Sequence, residues 1–258
     1  MPVKMSQIMD AIEEFAPLHL AEDWDNVGLL VGRRGADISK ALVALDALDG
    51  VIEEAIVLGA NAIITHHPLI YQPINRINDD SPLGCRLLRL TENNICLYCA
   101  HTNLDMADGG INDMLFEVFG LQNKEQMCAG RAGILPGQMT LSDFAIYVKN
   151  TLGLSVATYC GDGESEVRKV GIIGGSSANV DFFQAVLAAG CDTFVTADIK
   201  FAAAQAALDM GLSLVDATHY GSEVIFAERL AKYLESKIKD VDIIVSNVNG
   251  QIFNTISC

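Results

Sequence analysis

An alternation constrains this chain more than any other feature. Short apolar runs recur, and the stretches between them carry helical spacing. The runs are Ala41–Leu45, Ala62–Thr65, Ile95–Ala100, Lys169–Ile173, Thr193–Thr196, Ser213–Ala217 and Val241–Val245. Helical spacing covers residues 3–15, Gly50–Leu58, 82–93, Asn112–Phe119, Leu141–Leu152, Val180–Ala189, Ala202–Met210 and one long segment from about Tyr220 to Lys237. Gly59, Gly120 and Gly190 stand where three of these helices stop, the usual place for a glycine cap. Strands alternating with helices predict an α/β fold whose helices cover the sheet faces. The glycine-rich Gly130–Gly137 suits a connection or a hairpin. In such sheets functional residues gather just beyond the C-terminal ends of strands, which fixes where to look for chemistry.

Composition narrows the class. Half of the 258 residues are apolar and 19% are charged, which excludes a disordered or fibrous chain. Length alone fits one large or two small domains. Thirty-three acidic residues against 17 basic give a formal charge of −16. That balance argues against nucleic acid as a general partner, since phosphate backbones need a basic surface. No run of about 18 apolar residues exists to span a membrane. Met1–Ala16 carries Asp10, Glu13 and Glu14 among its apolar positions and reads as an amphipathic helix, not a signal peptide. The seven cysteines, Cys85, Cys96, Cys99, Cys128, Cys160, Cys191 and Cys258, are odd in number and irregularly spaced. Reduced thiols in the cytoplasm are the simplest expectation. Cys96-Leu-Tyr-Cys99 is formally C-x-x-C. It sits in a strand pattern instead of opening a helix and has no second ligand pair, so buried strand cysteines are expected.

Only five histidines occur, and four lie just past apolar runs. His66 and His67 follow Ala62–Thr65. Neighbouring side chains in a strand point to opposite faces, so two adjacent ligands converge only where the chain leaves the strand; Pro68 favours that departure. Alone, the pair reads equally as a solvated loop. His101 and Asp105 follow Ile95–Ala100, where Asp105 alone could simply cap a turn. His219 and Glu223 open a helix after Ser213–Ala217, and their four-residue spacing puts them on one helical face. Together, imidazoles and carboxylates at three strand ends exceed what one tetrahedral ion needs and suit two divalent ions. Such a pair clamps both the attacking and the leaving oxygen of a hydrolysis.

Trp24-Asp-Asn-Val-Gly-Leu-Leu-Val-Gly32, Thr65-His-His-Pro68, His101-Thr-Asn-Leu-Asp105 and His219-Tyr-Gly-Ser-Glu223 run in order along the chain. With these motifs the sequence resembles the Nif-three-like dinuclear-metal family, whose members carry the name GTP cyclohydrolase I type 2 homologue. The resemblance is to the short form, without an inserted domain. It implies two α/β lobes of mixed sheets flanked by helices, expected here as residues 1–128 plus 216–258 and residues 129–215. It implies His66, His67, Asp105, His219 and Glu223 as ligands of two divalent ions per subunit, with Glu223 bridging. Zinc, manganese, iron, cobalt and nickel all suit such a mixed donor set. His101 would serve catalysis, in proton transfer or substrate binding. The assembly implied is a homo-hexamer. The activity expected is hydrolysis of a small nucleotide-like or phosphoester substrate; the alternative is a non-catalytic hexamer that binds or handles metal and docks on protein partners. Leu48 and Ala202 depart from the family pattern, which often has Thr and His there.

Four further features complete the reading. Gly171–Ala178 is a glycine-serine turn between a strand and a helix; it is expected as a plain turn, with Gly174, Gly175 and Ser176 as the contacts if a phosphate binds. Trp24, the single tryptophan, is expected as a packed loop anchor, with Asn26 near the cleft. Asp46 ends a strand and could support a ligand from outside the coordination shell. Asp198 and Lys200 also follow a strand and read by default as solvated, or else as cleft lining.

Overall fold

The structure is a computed structural model that describes residues 2–256. In chain order the first elements are β1 (Val3–Lys4), α1 (Met5–Phe15), β2 (Gly28–Val31), β3 (Asp37–Ile38), β4 (Lys40–Ala44), α2 (Asp49–Leu58), β5 (Ala62–Thr65), α3 (Pro82–Glu92), β6 (Cys96–Cys99) and α4 (Thr102–Met106). Next come α5 (Ile111–Val118), β7 (Gln122–Met127), β8 (Gly130–Thr140), α6 (Leu141–Thr151), β9 (Thr158–Cys160), β10 (Glu166–Ile172) and α7 (Val180–Ala188). The chain ends with β11 (Thr193–Thr196), α8 (Phe201–Asp209), β12 (Ser213–Asp216), α9 (His219–Glu223), α10 (Phe226–Lys237) and β13 (Asp242–Val245).

Two compact units emerge. Among the described residues, one contains those up to Asp108 together with Phe226–Gly250; the other contains Gly109–Ile225 and those after Gly250. The expected division at 128/129 and 215/216 is displaced at both joints. Strand β7 pairs with β8, which draws residues 109–128 into the second unit, and α9 stays with the strand it follows.

The first unit holds a five-stranded mixed sheet in the order β13-β4-β5-β6-β2. Its first four strands are parallel, and β2 closes the β6 edge antiparallel. Every residue of β5 and β6 is buried, as parallel strands covered on both faces require. Leu42, Ile52, Ala55, Ile63, Leu90 and Leu97 form the core between this sheet and α2 and α3. Gly59 ends α2 with φ +67°, a left-handed conformation that costs glycine nothing. Ser81 caps α3, its hydroxyl accepting from the Gly84 N–H at 3.0 Å, and Pro82 fills the first helical position.

The second unit holds a six-stranded mixed sheet in the order β7-β8-β10-β11-β12-β9. Strands β10, β11 and β12 are parallel, and β7, β8 and β9 run antiparallel to their neighbours. Phe183, Val186, Phe194, Ala207 and Leu214 form its core with α7 and α8. Both sheets are mixed and helix-flanked, so the α/β class holds. Of the two alternatives for Gly130–Gly137, the hairpin holds: the segment lies within β8, the second arm of a hairpin with β7.

The long helix expected from Tyr220 to Lys237 is two helices, α9 and α10, with a turn at Val224–Ile225. Among the described residues no helix is long and apolar enough to cross a membrane. The six cysteines described are free, and Cys258 lies outside the described residues. Cys96 and Cys99 are buried in β6 as expected. Three residues apart on a strand, they point to opposite faces and cannot meet. The Cys99 thiol donates to the His66 carbonyl at 2.9 Å, and burial pushes its pKa well up, so it stays protonated.

Candidate metal centre

Sheet topology explains the first cluster. Strands β5 and β6 are parallel neighbours with Thr65 opposite Cys99, so the segments leaving them emerge side by side. His66 and His67 leave β5; His101 leaves β6 and caps α4, which carries Asp105. The adjacent His66 and His67 rings lie 5.0 Å apart, and His101 lies 5.0 Å from His66 and 5.6 Å from His67. One nitrogen from each of the three imidazoles falls within 4.8 Å of the other two. Asp105 Oδ1 stands 3.7 Å from His66 Nε2.

Each ring is held by its other nitrogen. His66 Nδ1 donates to the Ala100 carbonyl at 2.9 Å. His67 Nδ1 bonds Asp46, two residues past β4, at 2.8 Å. His101 Nδ1 bonds Asp25 at 2.9 Å. A carbonyl or carboxylate can only accept, so Nδ1 carries a proton, and in the neutral imidazole Nε2 presents its lone pair. Asp25 is fully enclosed and also accepts from the Thr102 N–H at 3.0 Å and from the Thr102 hydroxyl. Burial pushes its pKa up, but the bonds from His101 and Thr102 outweigh that and hold it at about 2. Asp25 is therefore ionised at neutral pH and fixes the His101 tautomer. Sequence reading missed Asp25, which lies 76 residues from its imidazole partner. It anticipated the supporting role of Asp46.

The second cluster belongs to the other sheet. Strands β10, β11 and β12 are parallel, so the loops leaving them share one edge. His219 and Glu223 lie on α9 after β12, with His219 Nε2 3.1 Å from Glu223 Oε2. Asp198, just past β11 and at φ +53°, accepts from His219 Nδ1 at 2.8 Å. It is thus neither a simply solvated nor a merely lining residue. Thr218, at φ +55°, caps α9 by accepting from the Gly221 N–H.

The loop after β10 closes on the same pair. A Cβ on Gly175 would sit 2.2 Å from Glu223 Oε1 and 3.6 Å from His219 Nε2, and φ there is +64°. Only glycine lets the backbone approach this carboxylate. The glycine N–H groups of this loop have partners within the protein. The Gly174 N–H donates to Asn112 Oδ1 at 2.9 Å, and the Gly175 N–H donates to Ser222 Oγ at 3.1 Å. The Ser177 N–H donates to Thr196 Oγ1 at 3.3 Å. Those donors hold the turn together.

The donor chemistry fits divalent cations. With Nδ1 of His219 donating to Asp198, the Nε2 lone pair and the Glu223 carboxylate face each other across 3.1 Å. Two electron-pair donors at that separation repel, and either a proton on Nε2 or a cation between them relieves the repulsion. Ligand atoms about 2.0–2.2 Å from one ion are roughly 3–3.5 Å apart, which matches. Three of the four imidazoles are backed by a carboxylate and one by a carbonyl, the usual support for a metal-bound histidine. Replacing Asp46 with Ala is expected to weaken metal binding roughly 10–100-fold, the usual cost of losing such a partner. Titration of the variant with zinc or manganese by calorimetry measures it, and unchanged affinity would show that Asp46 does not orient a ligand.

Trp24 departs from expectation. It is 57% exposed, not a packed anchor, and its ring meets His101 edge-on at 6.0 Å. Asn26 donates to the Ile70 carbonyl at 2.6 Å and ties the Trp24 loop to the segment after β5.

Comparison with known proteins places the chain in a family. A protein of Clostridium perfringens named GTP cyclohydrolase 1 type 2 homolog is 36% identical over 257 residues, covering 95% of this chain and 96% of its own. The relative of that name from Bacillus subtilis is 26% identical and aligns over 369 residues with 97% of this chain, so it carries additional residues inside the shared span. The crystal structure of a Bacillus cereus protein related to NIF3 superposes with a TM-score of 0.92 at 25% identity, covering 99% of this chain and all of that one. Reduced HcgD from Methanocaldococcus jannaschii gives 0.82 at 31% identity, covering 96% of this chain and 99% of that one. The family model Duf34/NIF3 (NGG1p interacting factor 3) matches residues 3–251, and the chain belongs to that family.

Proposed function

We propose that this chain is a divalent-metal-dependent hydrolase of a nucleotide-like or phosphoester substrate. His66, His67, Asp105, His219 and Glu223 would hold two ions; zinc, manganese, iron, cobalt and nickel suit the donors. The observation that carries this reading is the anchoring of all four imidazoles through Nδ1, which turns each Nε2 into a ligand or proton-transfer atom. When bound, a pair of ions supplies Lewis acidity toward a substrate oxygen and toward water.

The protein's own groups do the rest. Asp25 keeps the His101 proton on Nδ1, so His101 Nε2 can accept a proton from the attacking water and return it to the leaving oxygen. One bond forms from the water oxygen to the reacting phosphorus or carbon, and the bond to the leaving group breaks. Asp46, Asp198 and the Ala100 carbonyl hold the other rings against rotation. We further infer a cytoplasmic homo-hexamer, a reading supported by family membership and by the free cysteines.

The test is a turnover screen of nucleotides and phosphoesters with protein loaded with each candidate metal. Wild-type protein is expected to turn over at least one substrate. Glu223→Gln, nearly identical in size, is expected to abolish turnover while circular dichroism stays native. Stoichiometric metal binding with no turnover across the panel would overturn the catalytic reading in favour of a metal-handling protein.

A further inference from the structure

Trp24 and Tyr71 are large aromatic residues left 57% and 53% exposed beside the histidine cluster. Exposed aromatic surface forgoes burial that a core position would have provided, so two such rings together need a reason. Their ring centroids are 6.0 Å apart, inclined at 58°. Trp24 also meets His101 at 6.0 Å and 76°.

The backbone beneath the pair is firmly held. The Asp25 N–H donates to the Glu22 carbonyl at 2.9 Å, and the Glu22 N–H donates to Thr102 Oγ1 at 3.0 Å. Enclosed Asp25 locks the same loop onto His101 and Thr102. Asn26 fixes it to Ile70, the residue before Tyr71. Two rings are thus presented to solvent by pinned segments, next to the proton-transfer imidazole. Pinned, exposed aromatics beside convergent polar groups are how small-molecule sites present a flat contact surface.

We propose that Trp24 and Tyr71 form a platform for the base of a nucleotide, a purine or pyrimidine stacked on one ring with the other ring against its edge. A base sandwiched between two parallel rings would need about 7–8 Å between them, two contacts of roughly 3.5–4 Å each. At 6.0 Å and 58° the pair is an open V, which excludes the sandwich and leaves a face-and-edge arrangement. The ring, once seated, lies beside His101, which places the rest of the ligand toward the histidines. This rests on the nucleotide-like substrate proposed above and adds the residues that would select a base-bearing ligand over a base-free phosphoester.

The single tryptophan makes the test direct. Metal-loaded wild-type protein is titrated with guanosine and uridine monophosphates and with ribose 5-phosphate, following Trp24 emission and binding heat. Quenching by the nucleotides and none by the sugar phosphate is expected. Trp24→Ala should weaken nucleotide binding about tenfold, with the sugar phosphate changed less than about twofold; Trp24→Phe should restore most of the affinity. Tyr71→Ala should weaken binding in the same direction while Trp24 still reports.

Equal affinity for nucleotides and sugar phosphate, or no quenching by any nucleotide at millimolar concentration, would overturn the platform. A Trp24→Ala variant that changes molar mass by light scattering but not nucleotide affinity would also overturn it and assign the pair to a subunit contact. Metal content and turnover are read separately. Base-dependent quenching without turnover would sustain the platform while contradicting the hydrolase reading.

Discussion

Asp105→Asn is expected to remain folded and to lose more than about 100-fold in metal affinity, exceeding the roughly 10–100-fold cost of removing a supporting partner. The amide keeps the side-chain volume, so packing around α4 is preserved. What it removes is charge: the Asp105 carboxylate faces His66 Nε2 at 3.7 Å, and His66 is held there by the Ala100 carbonyl. A neutral imidazole with its Nδ1 proton committed can offer Nε2 only to a cation or a donor, and an amide oxygen is a much poorer second ligand than a carboxylate. Elemental analysis of the purified variant, with circular dichroism as the control for folding, decides it. Metal content equal to wild type would remove Asp105 from the ligand set.

The second large effect concerns stability. Arg131, on β8, is 1% exposed, and its partner Asp113, on α5, is 2% exposed. The guanidinium Nε donates to Asp113, and Nη1 donates to the Gly130 carbonyl at 3.1 Å. Asp113 also accepts from the Gly109 N–H at 2.7 Å and from Lys124 at 3.1 Å. Burial pushes the Asp113 pKa up, but the Gly109 N–H, Arg131 and Lys124 together bring it below the ordinary carboxylate value.

Arg131→Met should destabilise the protein by about 3 kcal/mol, at the low end for breaking a buried pair because Gly109 and Lys124 still serve Asp113. The double change Arg131→Met with Asp113→Leu should recover most of that, since apolar residues need no mutual compensation. The sign of the pH dependence follows from the lowered pKa. The Asp113 contribution is complete above the unfolded carboxylate pKa and is lost as pH falls through the lower folded value. Arg131→Met should therefore cost most near neutrality and least in acid. Urea unfolding at neutral and acidic pH measures both; an Arg131→Met variant as stable as wild type would show that the pair contributes no net stability.

The sequence disclosed the fold unevenly, for physical reasons. Strands β4, β5, β6, β11 and β12 are short apolar runs, and their buried character is written in their composition. Strand β7, Gln-Asn-Lys-Glu-Gln-Met, is polar and almost wholly exposed, so no periodicity announced it. Strand β8 was disguised by its glycines. One of them, Gly133, is required because a Cβ there would fall 2.3 Å from the Phe116 ring. Arg131 lay hidden in that same stretch because nothing local reveals a buried ion pair.

Candidate ligands were legible because each follows its strand directly in sequence. The side chains that orient them were not, except Asp46. Asp25 and the Ala100 carbonyl act on rings brought to them by the sheet, and Asp198 reaches His219 across adjacent parallel strands. Trp24 was misread because an aromatic residue alone says nothing about whether it faces core or solvent; the bonds of Asp25 and Asn26 decide that.

The most direct test of the account is the metal content of the protein itself. The chain should be purified without added metal, then reloaded with a single divalent metal and freed of excess, and assayed by elemental analysis at each stage. The account predicts about two tightly held ions per chain after reloading, as a dinuclear centre requires. One ion or none per chain, in protein whose circular dichroism is native, would contradict it.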